Sequence, residues 1–313
     1  MIRSQRKKRD LLTLLDLEPK EIEKLLSRAS QFKGMKPGSL PGVLKGKVLG
    51  LFFEKLSTRT RISFEVAAFR LGGGSIFLSS TQMQLSRGEV LQDTIRVLSR
   101  YLDGIVVRTF SQETIEQWAR HAGIPVINGL TDLHHPCQVL GDLFTIREKL
   151  GELAGRKIAY VGDGNNVAHS LMEGAAATGM QIALACPKGY LPDPGIVERA
   201  RGIAGKTKAR IEVVTDPEKA VRGADVIYTD VWTSMGQEGE ASERTRRFQK
   251  YRVDKKLLAA ARKDAFVMHC LPAHRGEEIT EEVLEGPRSA VWDQAENRLY
   301  TQMALLELLM GES

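Results

Sequence analysis

Short apolar runs alternate along this chain with segments whose apolar residues recur every three or four positions. In the first half the runs at 47–53, 75–78, 104–107 and 125–127 read as strands. Segments near 58–71, 89–101 and 111–122 carry helical spacing, and a further helix is expected from about 137 to 150. The stretch GELAGRK then marks a boundary. Beyond it strands are expected near 157–162, 181–186, 210–214, 225–230, 265–269 and 289–292. Strands that alternate with helices predict parallel sheets covered by helices. The fold class is therefore α/β: two doubly wound domains, each with a central, mostly parallel sheet, and a site in the cleft between them. The expected boundaries are 1–150 for the first domain and 151–296 for the second, with a C-terminal helix at about 297–313 packing back on the first.

Composition narrows the class. At 313 residues and 42% apolar content, the chain has the length for two buried cores. No apolar stretch approaches a membrane span. The opening MIRSQRKKRDLLTLLDLEP is basic, but Asp16 and Glu18 interrupt its apolar part, so it does not read as a secretory signal. A cytoplasmic enzyme that works without the membrane is expected. Cys137, Cys186 and Cys270 are odd in number and lack C-x-x-C spacing, which argues for reduced thiols over disulfides or zinc. The net charge of +6 is spread among 39 acids, and only RSQRKKR forms a basic run. That run reads as a solvated arm and gives little support to a nucleic-acid partner.

The first chemistry lies at FEKLSTRTR, residues 53–61, where an apolar run passes into helical spacing. Ser57 and Thr58 suit a helix N-cap, yet Arg59 and Arg61 place cations where the helix dipole is already positive. Such a charge calls for an anion. Backbone N–H groups, hydroxyls and a guanidinium together make a phosphate cradle, while the Walker spacing is absent. Further polar residues fall at the carboxyl ends of expected strands, where open α/β sheets bind ligands. These include Arg108, the HHPCQ stretch at 134–138, Asn165 and Asn166, Asp230 and Cys270. Gly162-Asp163-Gly164 starts like a dinucleotide fingerprint, but the third glycine position is Val167 and the next strand ends without an acid.

Taken together, FEKLSTRTR, HHPCQ and HCLPAHRGEE resemble the aspartate/ornithine transcarbamoylase family, and DVWTSMGQE is similar to the signature of its ornithine branch. The resemblance runs from about residue 45 to 303. It implies carbamoyl transfer from carbamoyl phosphate to the side-chain amine of L-ornithine, giving citrulline and phosphate in arginine metabolism, in either the synthetic or the degradative direction. It implies that Ser57, Thr58, Arg59 and Thr60 hold the phosphate, with Arg108, His135 and Gln138 around the carbamoyl group. Cys270, Leu271 and Arg298 complete that side. Gln84 would come from a neighbouring subunit of a homotrimer or a multiple of trimers. Asn166, Asp230, Ser234 and Met235 would bind ornithine, and His134 and His274 receive no role. Another acceptor, such as aspartate, putrescine or an acylated ornithine, is the near alternative, with the SMG segment as discriminator.

The chemistry asks for these residue types. Arg108, His135 and a hydroxyl such as Thr60 can face the oxyanion, while the cradle takes charge on the leaving phosphate. Gln138 can orient the carbamoyl NH2. An alkylamine of pKa about 10.4 is almost wholly protonated at neutral pH. Asp230 suits its ammonium, and Cys270 can share that role. No cofactor is required and no metal-ligand cluster is legible. A cysteine hydrolase using His269 is disfavoured, because successive strand residues face opposite sides. Two local expectations complete the reading. Ser86 to Glu89 resembles a capping box that starts a helix, leaving Met83 and Leu85 in a loop before it. Of the segment 234–252, Arg244 to Lys250 reads as a solvated excursion, whereas the resemblance implies that Ser234, Met235 and Gly236 form a closing loop over ornithine.

Overall fold

Pro19 at the first position and apolar residues at Ile22, Leu25, Leu26, Ala29 and Phe32 build helix α1, Pro19–Gly34, in a stretch that carried no assigned element. The run after it is strand β1, Val48–Phe53, buried over its last five residues as a strand covered on both faces must be. Helix α2, Thr58–Arg70, leads to β2, Gly74–Ser79. Then come α3, Leu91–Tyr101, β3, Gly104–Arg108, α4, Gln112–His121, β4, Val126–Leu130, and α5, Pro136–Leu150. The computed structural model describes residues 8–233 and 238–311. The described residues of Met1–Leu140 and Arg298–Ser313 form one unit, and Gly141–Asn297 form the second.

In the first unit four parallel strands lie in the order β2-β1-β3-β4. Phe52 packs on Trp118 at 4.9 Å in a core that includes Ile95, Ile105 and Val107. The register slips between Val107 and Arg108, so that Gly129 is the extra residue on β4. Such a bulge re-aims a side chain at the strand end, here Arg108.

The second unit contains β5, Lys157–Val161, α6, Asn166–Thr178, β6, Gln181–Ala185, α7, Pro194–Thr207, and β7, Arg210–Val214. It continues with α8, Pro217–Val221, β8, Val226–Thr229, α9, Ala241–Phe248, and α10, Lys255–Ala259. The last elements are β9, Phe266–His269, α11, Glu281–Leu284, and α12, Val291–Met310. Its five parallel strands lie in the order β7-β6-β5-β8-β9. The Arg298–Met310 part of α12 belongs to the first unit. There Glu307 accepts two bonds from Arg28, at 2.6 and 2.8 Å, and Met310 occupies the space a side chain at Gly104 would need.

Three local expectations need correction. The strand expected at 289–292 is an isolated bridge from Ser289 to Val267, after which Val291 opens α12; a four-residue apolar run does not distinguish strand from buried helix. The capping box at Ser86–Glu89 does not form. Ser86 Oγ donates to the Met83 carbonyl, Glu89 accepts from Thr94 Oγ1, and α3 starts after Val90. Met83 and Leu85 are half-buried against the first core. Arg244 is buried in α9 along with Phe248. Among the described residues no helix is long and apolar enough to cross a membrane.

Candidate active site

Each sheet has one place where the crossovers diverge, β1/β3 in the first unit and β5/β8 in the second. The carboxyl ends of such strands flank the crevice where open α/β sheets take ligands.

In the first unit β1 runs directly into the α2 cap. Ser57 accepts the Thr60 amide at 3.2 Å, so one of the hydroxyls does cap the helix. Thr58 is exposed, Arg59 is half-buried, and Thr60 is buried with its Oγ1 accepting from Arg298 Nη2 at 2.8 Å. Arg61 is set apart: it pairs with Glu65 at 2.9 Å and stacks 3.8 Å from the centre of the Phe77 ring. Arg108 is buried at the end of β3 and its carbonyl accepts the Glu54 amide. Lys55, itself buried, pairs with Asp132 and lies 4.3 Å from the Phe110 ring centre. The tight turn Thr131–His134, closed by Thr131 N to His134 O at 2.9 Å, delivers His135 and Gln138 to the start of α5.

Charge brings these groups together. Burial, and then Arg298, Arg108 and Arg59 in that order, hold the His135 imidazole well below its ordinary pKa. It is a neutral ring among three guanidiniums. Burial pushes the Cys137 thiol up to about 12, and its S–H donates to the Asn128 carbonyl. Gln84 is exposed in a short 3-10 turn, Gln84–Arg87.

In the second unit Gly162 (φ 148°) leaves β5 and Gly164 follows. A Cβ on Gly164 would lie 2.3 Å from the Pro192 nitrogen, and the Gly164 amide donates to the Tyr190 carbonyl. The glycine therefore accommodates the chain's own Leu191–Pro192 backbone where a dinucleotide site would admit a pyrophosphate. Asp163 is buried and accepts from Arg244 at 2.8 Å. Arg244 also donates to the Trp232 carbonyl at 2.9 Å, so the expectation of a solvated residue fails because a buried carboxylate faces it.

Asn165 caps α6, and Asn166, half-buried, is its first residue. Asp230 follows β8 and is buried. Its Oδ2 accepts from Asn165 Nδ2 at 2.7 Å, and its Oδ1 accepts from the Val231 amide and from Cys270 Sγ, both at 2.8 Å. Cys270 and Leu271 are half-buried just beyond β9, in the second unit. His269 Nδ1 accepts the Leu271 amide at 2.8 Å, so its proton sits on Nε2 and is shared with Glu278 at 3.0 Å. Ligand atoms of Asp230, His269 and Cys270 lie within 4.8 Å of one another, as do those of His274, Glu277 and Glu278. Linear spacing showed neither group. The rule that His269 and Cys270 face apart also fails, because Cys270 lies past the strand end and Leu271 turns at φ 58°. Ser234, Met235 and Gly236 lie outside the described residues.

Residues 9–148 match the aspartate/ornithine carbamoyltransferase carbamoyl-P binding domain, and residues 154–309 match that family's Asp/Orn binding domain. The chain belongs to the aspartate/ornithine carbamoyltransferase family. An ornithine carbamoyltransferase of Gloeobacter violaceus is 57% identical over 302 residues, covering 96% of each chain, and one of Syntrophus aciditrophicus is 54% identical, covering 97% of this chain and 100% of the relative. Among solved structures, ornithine carbamoyltransferase from Pyrococcus furiosus superposes with a TM-score of 0.93 at 51% identity, covering 96% of this chain and 97% of that one. The Gloeobacter violaceus structure gives 0.89 at 53% identity, covering 98% and 100%. Membership in the carbamoyltransferase family accounts for the two parallel-sheet units. The motif reading did not anticipate the Asn165 bond to Asp230, the Asp163–Arg244 pair or the Lys55–Asp132 pair.

Proposed function

We propose that the chain transfers the carbamoyl group of carbamoyl phosphate to the side-chain amine of L-ornithine, yielding L-citrulline and phosphate. The observation that carries this is the set of Arg59, Arg108 and Arg298 around one neutral histidine in a unit that matches a carbamoyl-P binding domain. Ser57, Thr58, Arg59 and Thr60 receive the phosphate. Arg108 and His135 face the carbonyl oxygen, and Gln138 orients the carbamoyl NH2. The amine nitrogen attacks the carbamoyl carbon and charge moves to the oxygen; the carbonyl then re-forms as the carbon–oxygen bond to phosphate breaks, and the amine proton passes to the departing phosphate or to solvent. A neutral imidazole donates a hydrogen bond to the forming oxyanion without repelling the guanidiniums. Deprotonating an alkylamine at pH 7 costs roughly 4–5 kcal/mol, which makes an orienting carboxylate useful.

Asp230, with Cys270 beside it, takes that amine, while Asn166, Ser234 and Met235 hold the rest of ornithine; Leu271 completes the carbamoyl side. In this proposal the first unit is the carbamoyl phosphate domain and the second the ornithine domain. We further infer a cytoplasmic homotrimer or multiple of trimers serving arginine biosynthesis, in which Gln84 reaches a neighbouring subunit. Gln84 is exposed, and the same unit exposes Phe69, Ile76 and Tyr101, apolar surface that subunit contact would cover. The test offers carbamoyl phosphate with ornithine, aspartate, putrescine or acetylornithine and measures phosphate and ureido product together. Citrulline should dominate and should survive chelation; preference for another amine would overturn the acceptor assignment.

A further inference from the structure

The contacts of Asn165 point to a role beyond helix capping. Its Oδ1 accepts from the amides of Val167 and Ala168 at 3.0 and 3.2 Å and from Tyr160 OH at 3.2 Å. Three donors on one side fix the amide orientation. A flipped side chain would set its NH2 against those donors and its oxygen against a carboxylate. The NH2 is thereby aimed at Asp230 Oδ2, 2.7 Å away. Asp230 Oδ1 is held separately by the Val231 amide and Cys270 Sγ. Oδ1 thus has two donors, and among the described residues Asn165 is the one that holds Oδ2. Tyr160, the anchor behind Asn165, is itself buried and lies 6.0 Å from Tyr228, ring centre to ring centre.

We infer that Asn165 is a positioning residue for the reaction: its amide, locked by the α6 amides and Tyr160, sets the rotation of the Asp230 carboxylate that receives the acceptor amine. This rests on the reading of Asp230 given above. A free carboxylate can turn about its Cβ–Cγ bond and present either edge. With Oδ2 restrained, one lone-pair direction stays aimed at the incoming nitrogen. Misplacement of a reacting group by about 1 Å costs on the order of 100-fold in rate.

The test separates capping from positioning. Serine caps helices about as well as asparagine, whereas alanine does not, and neither can reach Asp230. Asn165→Ser should keep Tm within ~2 °C of the parent and Asn165→Ala should lose a few degrees. Both should lower kcat by ~10–100-fold with ornithine and leave the KM for carbamoyl phosphate unchanged. Asn165→Asp, which caps but faces Asp230 with a second carboxylate, should be no better than the serine variant. The parallel variant Asp230→Asn tests the reading beneath. If it loses activity while Asn165→Ser stays within about twofold of the parent, the positioning role is overturned alone. If Asp230→Asn keeps full activity, the amine assignment fails and the inference falls with it.

Discussion

Replacing Arg244 by methionine keeps most of the side-chain stem and removes the guanidinium from Asp163. The two side chains are 7% and 10% exposed, so the variant leaves a buried carboxylate without its cation. Breaking one partner of such a pair costs ~3–5 kcal/mol. The second ion pair of Arg244, to Glu240, has a partner that is 62% exposed and adds ~0–1 kcal/mol. For a unit of this size, where 1 kcal/mol moves Tm by ~2–4 °C, the larger loss corresponds to ~6–20 °C. The pH dependence carries a sign. Burial already raises the Asp163 pKa, against the lowering effect of Arg244, and removing Arg244 raises it further. An acid whose folded pKa lies above its unfolded value of about 3.9 destabilises the fold above the folded pKa and ceases to do so below the unfolded one. Thermal unfolding followed by circular dichroism should therefore show a larger deficit at pH 8 than at pH 5. Adding Asp163→Asn should recover part of it, leaving the lost bond to the Trp232 carbonyl. An equal deficit at both pH values, with strictly additive double-variant behaviour, would refute the buried-pair account.

The remaining predictions concern the first unit. Arg59→Ala should raise the KM for carbamoyl phosphate, whereas Arg108→Ala should chiefly lower kcat; steady-state kinetics showing equal kcat losses in both would show the roles misdivided. Mixing inactive Gln84→Ala with inactive Arg108→Ala chains should restore part of the activity through hybrid sites, and no recovery despite proven subunit exchange would count against a shared site. Because His135 is held well below its ordinary pKa, the unfolded chain binds a proton that the folded chain refuses. Stability should then fall as pH drops below about 6.5, and His135→Gln should flatten that slope in denaturant titrations.

Most of the architecture was legible because parallel strands buried on both faces leave continuous apolar runs. The runs at 48–53, 104–107 and 158–161 show this directly. The start of α2 was legible because a capping hydroxyl lies within one turn of the amide it accepts, as Ser57 does for Thr60. What stayed hidden lies across the fold. Lys55 and Asp132 are 77 positions apart, Asn165 and Asp230 65, and Asp163 and Arg244 81. No local spacing reports such pairs, since crossovers decide which strand ends become neighbours. Arg244 was misread for a second reason: SERTRRFQK looks like a solvated charge run, yet Arg244 and Phe248, four apart, share the buried face of α9.

The glycines after β5 show how one spacing supports two chemistries. In a dinucleotide fold the second glycine leaves room for a pyrophosphate. Here that room is taken by Leu191–Pro192, and the Gly164 amide is bonded to the Tyr190 carbonyl. The amides of Val167 and Ala168, the second and third residues of α6, are likewise taken by Asn165 Oδ1. With two of its first three amides satisfied from within, this helix start has fewer donors left for an anion. At the same switch point, Asp230 contributes a negative charge held by Asn165 and Cys270. The pattern that suggested phosphate thus builds, in this unit, a place that favours a cation. The match to a carbamoyl-P binding domain lies in the other unit, where the charges of Arg298, Arg108 and Arg59 act on buried His135.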